Sequence, residues 1–233
     1  AIEAMDASDA GAIEQLLRYD WQRNARPKQL PPPGAWKFWI VLAGRGFGKT
    51  RTGAEWLRMK AEGGARWLRM FGQTAEELYK TMLFGPSGLM TICPPWLGAK
   101  YDAQRKQVTF EALPAVIRCY SAEKPDRLRG GQSEADWLDE LPFWQKPDVA
   151  LANIDMGLRL GKCPQAVITM TPKQSDVVLD LVLGPKGRDG KRTPRANVVV
   201  TRGKTEENTD LNDEAVASMR AELGREHLNE VLQ

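Results

Sequence analysis

Apolar runs and amphipathic stretches alternate along this chain. Continuous apolar segments rich in β-branched residues are typical of strands buried on both faces of a sheet. Such segments are WKFWIVLA (36–43), RWLRMFGQ (66–73), ADWLDE (135–140), AVITMT (166–171) and ANVVVT (196–201). The stretch KQVTFEALPAVIRCYSA (106–122) predicts two further short strands. Asp136 interrupts the third run, which weakens the strand prediction there.

Helix-type spacing of apolar residues predicts helices between these strands. They are expected over residues 8–21, 50–62, 74–82, 147–161 and 175–183. The prolines of RPKQLPPPGAW (26–36) instead predict an extended linker before the first strand. Repeated alternation of strand and helix favours an α/β fold with a mostly parallel sheet and helices on both faces.

Composition indicates a globular protein without a membrane span. Of the 233 residues, 42% are hydrophobic, which is enough for the core of one large domain. The net charge of +3 permits a polyanionic partner without requiring one. The three cysteines match no disulfide or zinc pattern, which favours a reducing cytosol. The longest apolar run is too short for a membrane helix and the N-terminus lacks signal-peptide features, so we expect a cytoplasmic protein with no membrane anchor.

A glycine-rich loop follows the first predicted strand and leads into a helix. Its sequence AGRGFGKT (43–50) matches the phosphate-loop pattern G-x-x-x-x-G-K-[ST], with Ala43 in place of the first glycine. The glycines let successive backbone N–H groups surround a β-phosphate, while Lys49 neutralises the β- and γ-phosphate oxygens. Thr50 can offer its hydroxyl to Mg²⁺. The strand–loop–helix context predicts a nucleotide site rather than a simple glycine turn.

Two adjacent acids end the third strand segment. Asp139 is placed to hold Mg²⁺, and Glu140, directly after it, to act as the base for an attacking water. Adjacent acids at a strand end can also belong to an ordinary turn. Together with the phosphate loop they predict nucleotide hydrolysis. The chain has no N-K-x-D or D-x-x-G guanine-type motif, so ATP is the favoured nucleotide.

Five further polar residues lie where such a site would use them. Thr169 and Thr171, at the end of a strand, can sense the γ-phosphate, although a strand end before a proline explains them equally well. Arg127 and Arg129 lie on a glycine-terminated loop, and one of them can reach a neighbouring subunit's γ-phosphate as an arginine finger. Gln29, in the linker, can bind the adenine edge.

A basic segment, GPKGRDGKRTPR (184–195), interrupts the regular pattern. Such a segment can be a solvated loop or can contact a phosphate backbone. The residues available for DNA contact are Lys186, Arg188, Lys191, Arg192 and Arg195.

In combination, these motifs resemble the large terminase subunit, the DNA-packaging ATPase of tailed double-stranded DNA bacteriophages. The resemblance rests on the segments ARPKQLPPPGAW, LAGRGFGKTRTGAEWLR, LRGGQSEADWLDELPFW, GLRLG, VITMTP and VVVTRGKTEENTDLN, in that order. They span most of residues 25–212, and several motifs in order are far more specific than any one alone.

The resemblance implies a P-loop NTPase fold of the additional-strand, catalytic-glutamate type, with Mg²⁺ and ATP as cofactors. It implies metal binding by Thr50 and Asp139, catalysis by Glu140, Lys49 and a trans-acting Arg129, and coupling of hydrolysis to movement by Thr169 and Thr171. The nucleotide contacts that it implies are Gln29, Ala43, Gly44, Arg45, Gly46, Phe47, Gly48, Lys49, Thr50 and Arg51.

The resemblance also implies partners and a division of the chain. The partners are double-stranded DNA, the portal protein, the small terminase subunit and other copies of the chain in a ring, with a monomer as the alternative for an isolated piece. The expected place is the cytoplasm of the infected host, docked on the procapsid. Residues 1–35 form an N-terminal helix and adenine-side linker, residues 36–205 the ATPase core and residues 206–233 a helical lid or linker. A full terminase continues into a nuclease domain, whose acidic cluster we do not find here, so we expect an isolated ATPase domain without nuclease activity.

Two other functions fit parts of the pattern. A helicase or repair ATPase shares the sheet and the acidic pair, but the absence of a second recombinase-like motor domain in these 233 residues argues against it. A nucleotide-dependent scaffold that does not hydrolyse ATP is the other alternative.

Overall fold

The computed structural model describes residues 7–173, 175–211 and 214. The lid predicted for residues 206–233 lies mostly outside these described residues. Within them the chain forms one eight-stranded sheet covered by helices on both faces. The strands, in chain order, are β1 (Phe38–Ala43), β2 (Trp67–Gly72), β3 (Lys100–Asp102), β4 (Gln107–Thr109), β5 (Val116–Ser121), β6 (Ala135–Asp139), β7 (Gln165–Met170) and β8 (Val198–Gly203).

The helices follow the predicted alternation. They are α1 (Ala7–Tyr19), α2 (Trp21–Asn24), α3 (Lys49–Glu62), α4 (Ala75–Glu77, continued by a π-helical turn over Leu78–Leu83), α5 (Leu89–Ile92), α6 (Pro147–Gly157) and α7 (Asp176–Val182). Short 3₁₀ turns lie at Pro27–Gln29, Pro95–Leu97, Pro125–Leu128, Leu141–Phe143 and Thr205–Glu207. None of the helices in the described ranges is long and apolar enough to cross a bilayer.

The sheet has the strand order β3-β4-β5-β2-β6-β7-β1-β8. The six strands from β5 to β8 in this order are parallel, and β3 and β4 extend the sheet as an antiparallel edge. The predicted α/β fold with a mostly parallel sheet is therefore confirmed. Because the strands are parallel, the ends of β1, β6 and β7 meet at one edge of the sheet, where ligands bind in such folds.

Alternation along β1 shows how the core is divided. Trp39 and Val41 pack on one face, against α3, whereas Phe38, Ile40 and Leu42 pack on the other, against α6 and α7. All five are buried, as a strand covered on both faces requires. The two helical layers thus fix the sheet edge that carries the motifs.

The strand predicted over residues 135–140 is confirmed as β6, and Asp136 does not interrupt it. The register pairs Asp136 with Arg69 of β2. The Arg69 guanidinium donates to both carboxylate oxygens at 2.9 and 2.6 Å, and the two side chains are 1% and 0% exposed. Arg69 also donates to the carbonyls of Gly131 and Ile154, at 2.8 and 2.9 Å. Asp136 looks like a break in the apolar pattern. Its charge is nevertheless compatible with the core, because Arg69 on the neighbouring strand β2 pairs with it.

Candidate active site

The phosphate-loop sequence forms the connection between β1 and α3. Gly46 and Gly48 have φ values of 76° and 93°, in the left-handed region that glycine adopts without a steric penalty. Lys49 is the first residue of α3, a helix of 14 residues, so the loop leads directly into a helix N-terminus. Backbone N–H groups and the helix dipole at this point favour an anion such as a phosphate.

Lys49, where the loop enters α3, is 8% exposed. Its Nζ donates to the carbonyls of Ala43 and Gly44, both at 3.1 Å. The same Nζ is 3.5 Å from Oε1 of Glu140. The structure thus brings the loop lysine and the predicted base together, although they are 91 positions apart in the chain.

Asp139, at the end of β6, is almost completely buried, with 4% of its surface exposed. Its Oδ1 accepts a hydrogen bond of 2.5 Å from the hydroxyl of Thr169, which in turn accepts one of 2.8 Å from the indole N–H of Trp137. Burial, reinforced by the charge of Glu140, raises the pKa of Asp139 from 3.8 to about 7. The Thr169 hydrogen bond and Lys49 act in the opposite direction. Burial thus penalises the charged form of Asp139, and a bound cation would relieve that penalty, so the carboxylate is well suited to a cation.

Glu140 begins the turn after β6 with a left-handed backbone, at φ 51° and ψ 42°. This conformation is uncommon for a residue other than glycine and is typical of functional sites. Its carboxylate accepts two hydrogen bonds from Thr171, one from the backbone N–H and one from the hydroxyl, both at 2.7 Å. The two threonines of the VITMTP segment therefore each hold one of the two acids: Thr169 holds Asp139 and Thr171 holds Glu140.

The raised pKa of Asp139 predicts a pH-dependent effect of Asp139→Asn on stability. Because the pKa is about 7 in the folded protein and 3.8 ordinarily, the folded chain binds more protons than the unfolded chain between these values. The contribution of Asp139 to stability therefore falls as the pH rises from about 4 to 7 and stays low above 7. Without nucleotide or Mg²⁺, we expect Asp139→Asn to stabilise the protein by about 1–3 kcal/mol at pH 8 and hardly at all at pH 4.

Urea unfolding of the two proteins at pH 4, 6 and 8 measures this difference. A difference that does not change with pH would mean that Asp139 has the same pKa in the folded and the unfolded chain, so that burial does not raise it.

The donor set at this edge suits Mg²⁺ bound together with a nucleotide. Within residues 7–173, 175–211 and 214, no group of three or more His, Cys, Asp or Glu side chains could hold a metal ion alone. Mg²⁺ at phosphate sites takes one or two protein oxygens and completes its shell with phosphate oxygens and water. The carboxylate of Asp139 and the hydroxyl of Thr50, the second residue of α3, are oxygen donors of this kind.

Gln29 is buried beside the loop, with both ends of its amide engaged. Its Nε2 donates to the hydroxyl of Thr52 at 3.2 Å and to the carbonyl of Gly48 at 3.4 Å. Its Oε1 accepts from the backbone N–H and from Nε of Arg26, at 3.2 and 3.1 Å. The structure thus places Gln29 against the phosphate loop. Its predicted contact with adenine stays a prediction.

The two candidate finger arginines lie in different surroundings. Arg129 donates through Nε to Oδ1 of Asn153 on α6, at 3.0 Å, while its side chain remains 63% exposed. Asn153 is buried and donates in turn to the carbonyl of Pro125, at 3.0 Å. Arg127 is exposed on the same loop. Of the two, Arg129 is the one that a buried side chain orients.

The basic segment 184–195 forms a surface loop. Lys186, Arg188, Lys191 and Arg195 are exposed. Arg192 differs, because it donates to Asp180 at 2.5 Å and to the carbonyl of Gly184 at 2.8 Å and so holds the loop against α7. DNA contact by this loop stays a prediction.

Three residues in contact with the phosphate loop were given no role from the sequence. Arg26 stacks its guanidinium on the ring of Phe47, 4.5 Å from the centroid, and donates to the Phe47 carbonyl. Thr205 and Asn208 donate to loop carbonyls from the opposite end of the chain. The only sequence signal for them was their position in two of the segments that carry the family resemblance.

Comparison with models of known protein families matches most of this chain to a terminase family. The family model of the terminase large subunit, T4likevirus type, N-terminal part, matches residues 40–227. No curated protein has a significant sequence match to the chain.

Solved structures of phage terminases share the fold. The ATPase domain of the large terminase of Thermus phage P74-26 matches with a TM-score of 0.59 at 14% identity, covering 93% of this chain and 92% of that chain. The large terminase of the thermophilic bacteriophage D6E matches with a TM-score of 0.57 at 13% identity, covering 89% of this chain and 49% of that chain. The D6E protein in complex with ATP-γ-S matches with a TM-score of 0.58 at 12% identity, covering 89% of this chain and 48% of that chain. This chain thus spans about half of the D6E protein, and the likeness confirms the predicted P-loop NTPase fold.

Proposed function

This chain belongs to the T4-like family of terminase large subunits, and we propose that it is the motor ATPase that couples Mg²⁺-dependent ATP hydrolysis to the translocation of double-stranded DNA into a procapsid. The observation that carries the proposal is the convergence of Lys49, Asp139 and Glu140 at one sheet edge. Nζ of Lys49 and Oε1 of Glu140 are 3.5 Å apart. Asp139 is held by Thr169 of the neighbouring strand β7, and Glu140 by Thr171, which follows that strand.

In the proposed reaction, the backbone N–H groups of the loop from Ala43 to Arg51 hold the β-phosphate, and Lys49 neutralises the β- and γ-oxygens. Thr50 and Asp139 would hold Mg²⁺, which would supply further neutralisation of phosphate charge. Glu140 aligns the attacking water and accepts its proton. The two hydrogen bonds from Thr171 fix the carboxylate of Glu140 for that task.

Thr169 and Thr171 suit a coupling role because each contacts one acid. If loss of the γ-phosphate moves Asp139 or Glu140, the end of β7 and the residue after it would receive that movement through these hydrogen bonds. We propose that residues 36–205 form the core in which this occurs, that residues 1–35 flank the adenine side and that residues 206–233 form the moving lid. The exposed basic residues at 186, 188, 191 and 195 would grip the DNA backbone without reading its sequence.

We propose that Arg129 completes the site of a neighbouring copy in a ring. Its support is the hydrogen bond to buried Asn153, which orients the guanidinium while most of the side chain stays exposed. A finger supplied in trans makes the rate per subunit depend on assembly. The portal protein and the small terminase subunit are the further partners that we propose, in the cytoplasm of an infected host.

The dependence of ATP hydrolysis on protein concentration tests this proposal. We expect the rate per subunit of the unaltered protein to rise with concentration, and Arg129→Ala to lower the plateau by about 10³-fold or more. Arg127→Ala is the matched control, because Arg127 is an exposed arginine on the same loop, and it is expected to retain at least roughly half of the rate. A rate that is independent of concentration and of Arg129 would contradict the trans finger.

A further inference from the structure

Four successive carbonyls of the phosphate loop each accept a hydrogen bond from a side chain outside the loop. The donors come from two segments that are far apart in sequence, one before β1 and one after β8. The pairs are Thr205 Oγ1 to Arg45 O at 2.8 Å, Asn208 Nδ2 to Gly46 O at 2.6 Å, the Arg26 guanidinium to Phe47 O, and Gln29 Nε2 to Gly48 O at 3.4 Å.

Peptide planarity gives this arrangement a consequence for anion binding. In a trans peptide the C=O of one residue and the N–H of the next point in opposite directions. Donors that hold the carbonyls of residues 45–48 on the outside therefore direct the N–H groups of residues 46–49 to the inside. The N–H of Phe47 donates instead to the carbonyl of Gly44, at 3.3 Å, and this hydrogen bond closes the turn. The N–H groups of Gly46, Gly48 and Lys49 are directed to where a phosphate would bind.

The fit of the two segments against the loop is close. A Cβ at Gly44 would lie 2.5 Å from Oγ1 of Thr205, and one at Gly48 would lie 2.8 Å from Nε2 of Gln29. Thr205 therefore requires a glycine at position 44 on the outer side of the loop, whereas Gly48 is required by its φ value of 93°. The requirement at Gly44 follows from Thr205, not from the phosphate.

The two segments are also joined to each other. Lys28, beside Gln29, forms an ion pair of 2.8 Å with Glu207, and Glu207 accepts a hydrogen bond of 2.9 Å from the backbone N–H of Lys204. The loop is thus enclosed by a clasp, which we define as residues 26–29 and 204–208. Its second half directly follows β8 and leads toward the proposed lid.

We infer that Thr205 and Asn208 are positioning residues for the phosphate loop, through which nucleotide binding and the docking of residues 204–208 stabilise each other. The inference rests on the nucleotide site of the proposed function, and it adds residues that act through the loop backbone without touching the nucleotide. Because linkage is reciprocal, a segment that improves phosphate binding must itself be stabilised when a nucleotide binds. The segment that leads toward the lid would thereby respond to occupancy of the site.

Substitutions that remove single donors test the inference on the full chain. Thr205→Val keeps the shape and loses the hydroxyl, and Asn208→Asp keeps the shape and replaces the donor by an acceptor that repels the Gly46 carbonyl. We expect each to weaken binding of a fluorescent ATP analogue in the presence of Mg²⁺ by about tenfold, because a held carbonyl loses the side-chain donor that holds it. Thr205→Ser retains the hydroxyl and is expected to bind within roughly twofold of the unaltered protein.

Amide hydrogen exchange distinguishes a positioning role of Thr205 from a merely structural one, because only a positioning role makes exchange at residues 203–208 respond to the analogue. The analogue is expected to slow exchange at residues 203–208 in the unaltered protein and in Thr205→Ser, and not in Thr205→Val. Equal affinities for the unaltered protein, Thr205→Val and Asn208→Asp would overturn the inference, as would a loss in Thr205→Ser as large as that in Thr205→Val. The assay needs no hydrolysis, so tight binding without turnover would contradict the motor proposal alone, whereas no binding by the unaltered protein would contradict both.

Discussion

Glu140→Gln is expected to lower the rate of ATP hydrolysis by about 10²–10⁴-fold, the usual contribution of a positioned general base. An amide has the size of the carboxylate but cannot accept a proton from water. Binding of ATP is expected to persist, because the loop residues and Lys49 are unchanged, so the variant should hold ATP without turning it over. Single-turnover hydrolysis and equilibrium binding measure the two parts separately.

Glu76→Gln is the matched control for this substitution. Glu76 is an exposed acid on α4, which follows the neighbouring strand β2, and its ion pair with Lys80 is on the surface. We expect it to leave the rate within about twofold of the unaltered protein. If Glu140→Gln hydrolysed ATP as fast as this control, Glu140 would not be the base, and a scaffold that binds ATP without using it would become the better account.

Asp136→Asn is expected to lower the free energy of unfolding by about 3–5 kcal/mol, the typical cost of leaving one member of a buried ion pair without its partner. Arg69 is 1% exposed and would keep its charge in the core between β2 and β6. Arg69 also holds the carbonyl of Gly131, on the loop that carries Arg129, so we expect a loss of hydrolysis at temperatures where the variant is still folded.

Asp102→Asn provides the comparison for Asp136→Asn. Its partner Arg105 is 3.4 Å away and largely exposed, so the expected loss of stability is much smaller than that of Asp136→Asn. Urea unfolding at constant pH measures both variants. A loss at Asp136 as small as that at Asp102 would mean that water reaches Arg69 or that the two strands separate easily at this pair.

The site motifs could be predicted from sequence because each is local. The loop at 43–50 is one continuous pattern between an apolar strand and a helix, and the acids at 139 and 140 are adjacent. The parallel sheet followed from the strand–helix alternation, and it alone brings these motifs to one edge. Local patterns of this kind need no knowledge of long-range pairing.

The remaining features depend on contacts between distant residues. Asp136 was read as a break because hydropathy treats a charge as polar regardless of its partner, and the partner Arg69 is 67 positions away. Strand β3 has only three residues, of which Lys100 is exposed and Tyr101 and Asp102 are partly buried, so it leaves no apolar run. Thr205 lies 160 positions from the loop carbonyl that it holds, and nothing in its local pattern indicates that contact.

The most direct test of the proposed motor is hydrolysis by a mixture of Arg129→Ala and Glu140→Gln. Each variant alone lacks one half of a site that is completed between neighbours. In the mixture, the intact Glu140 of one copy can meet the intact Arg129 of the next. We predict that the mixed sample hydrolyses ATP well above the sum of the separate samples, with a maximum near equal amounts. A mixture that never exceeds this sum, at any ratio or concentration, would contradict a site shared between subunits.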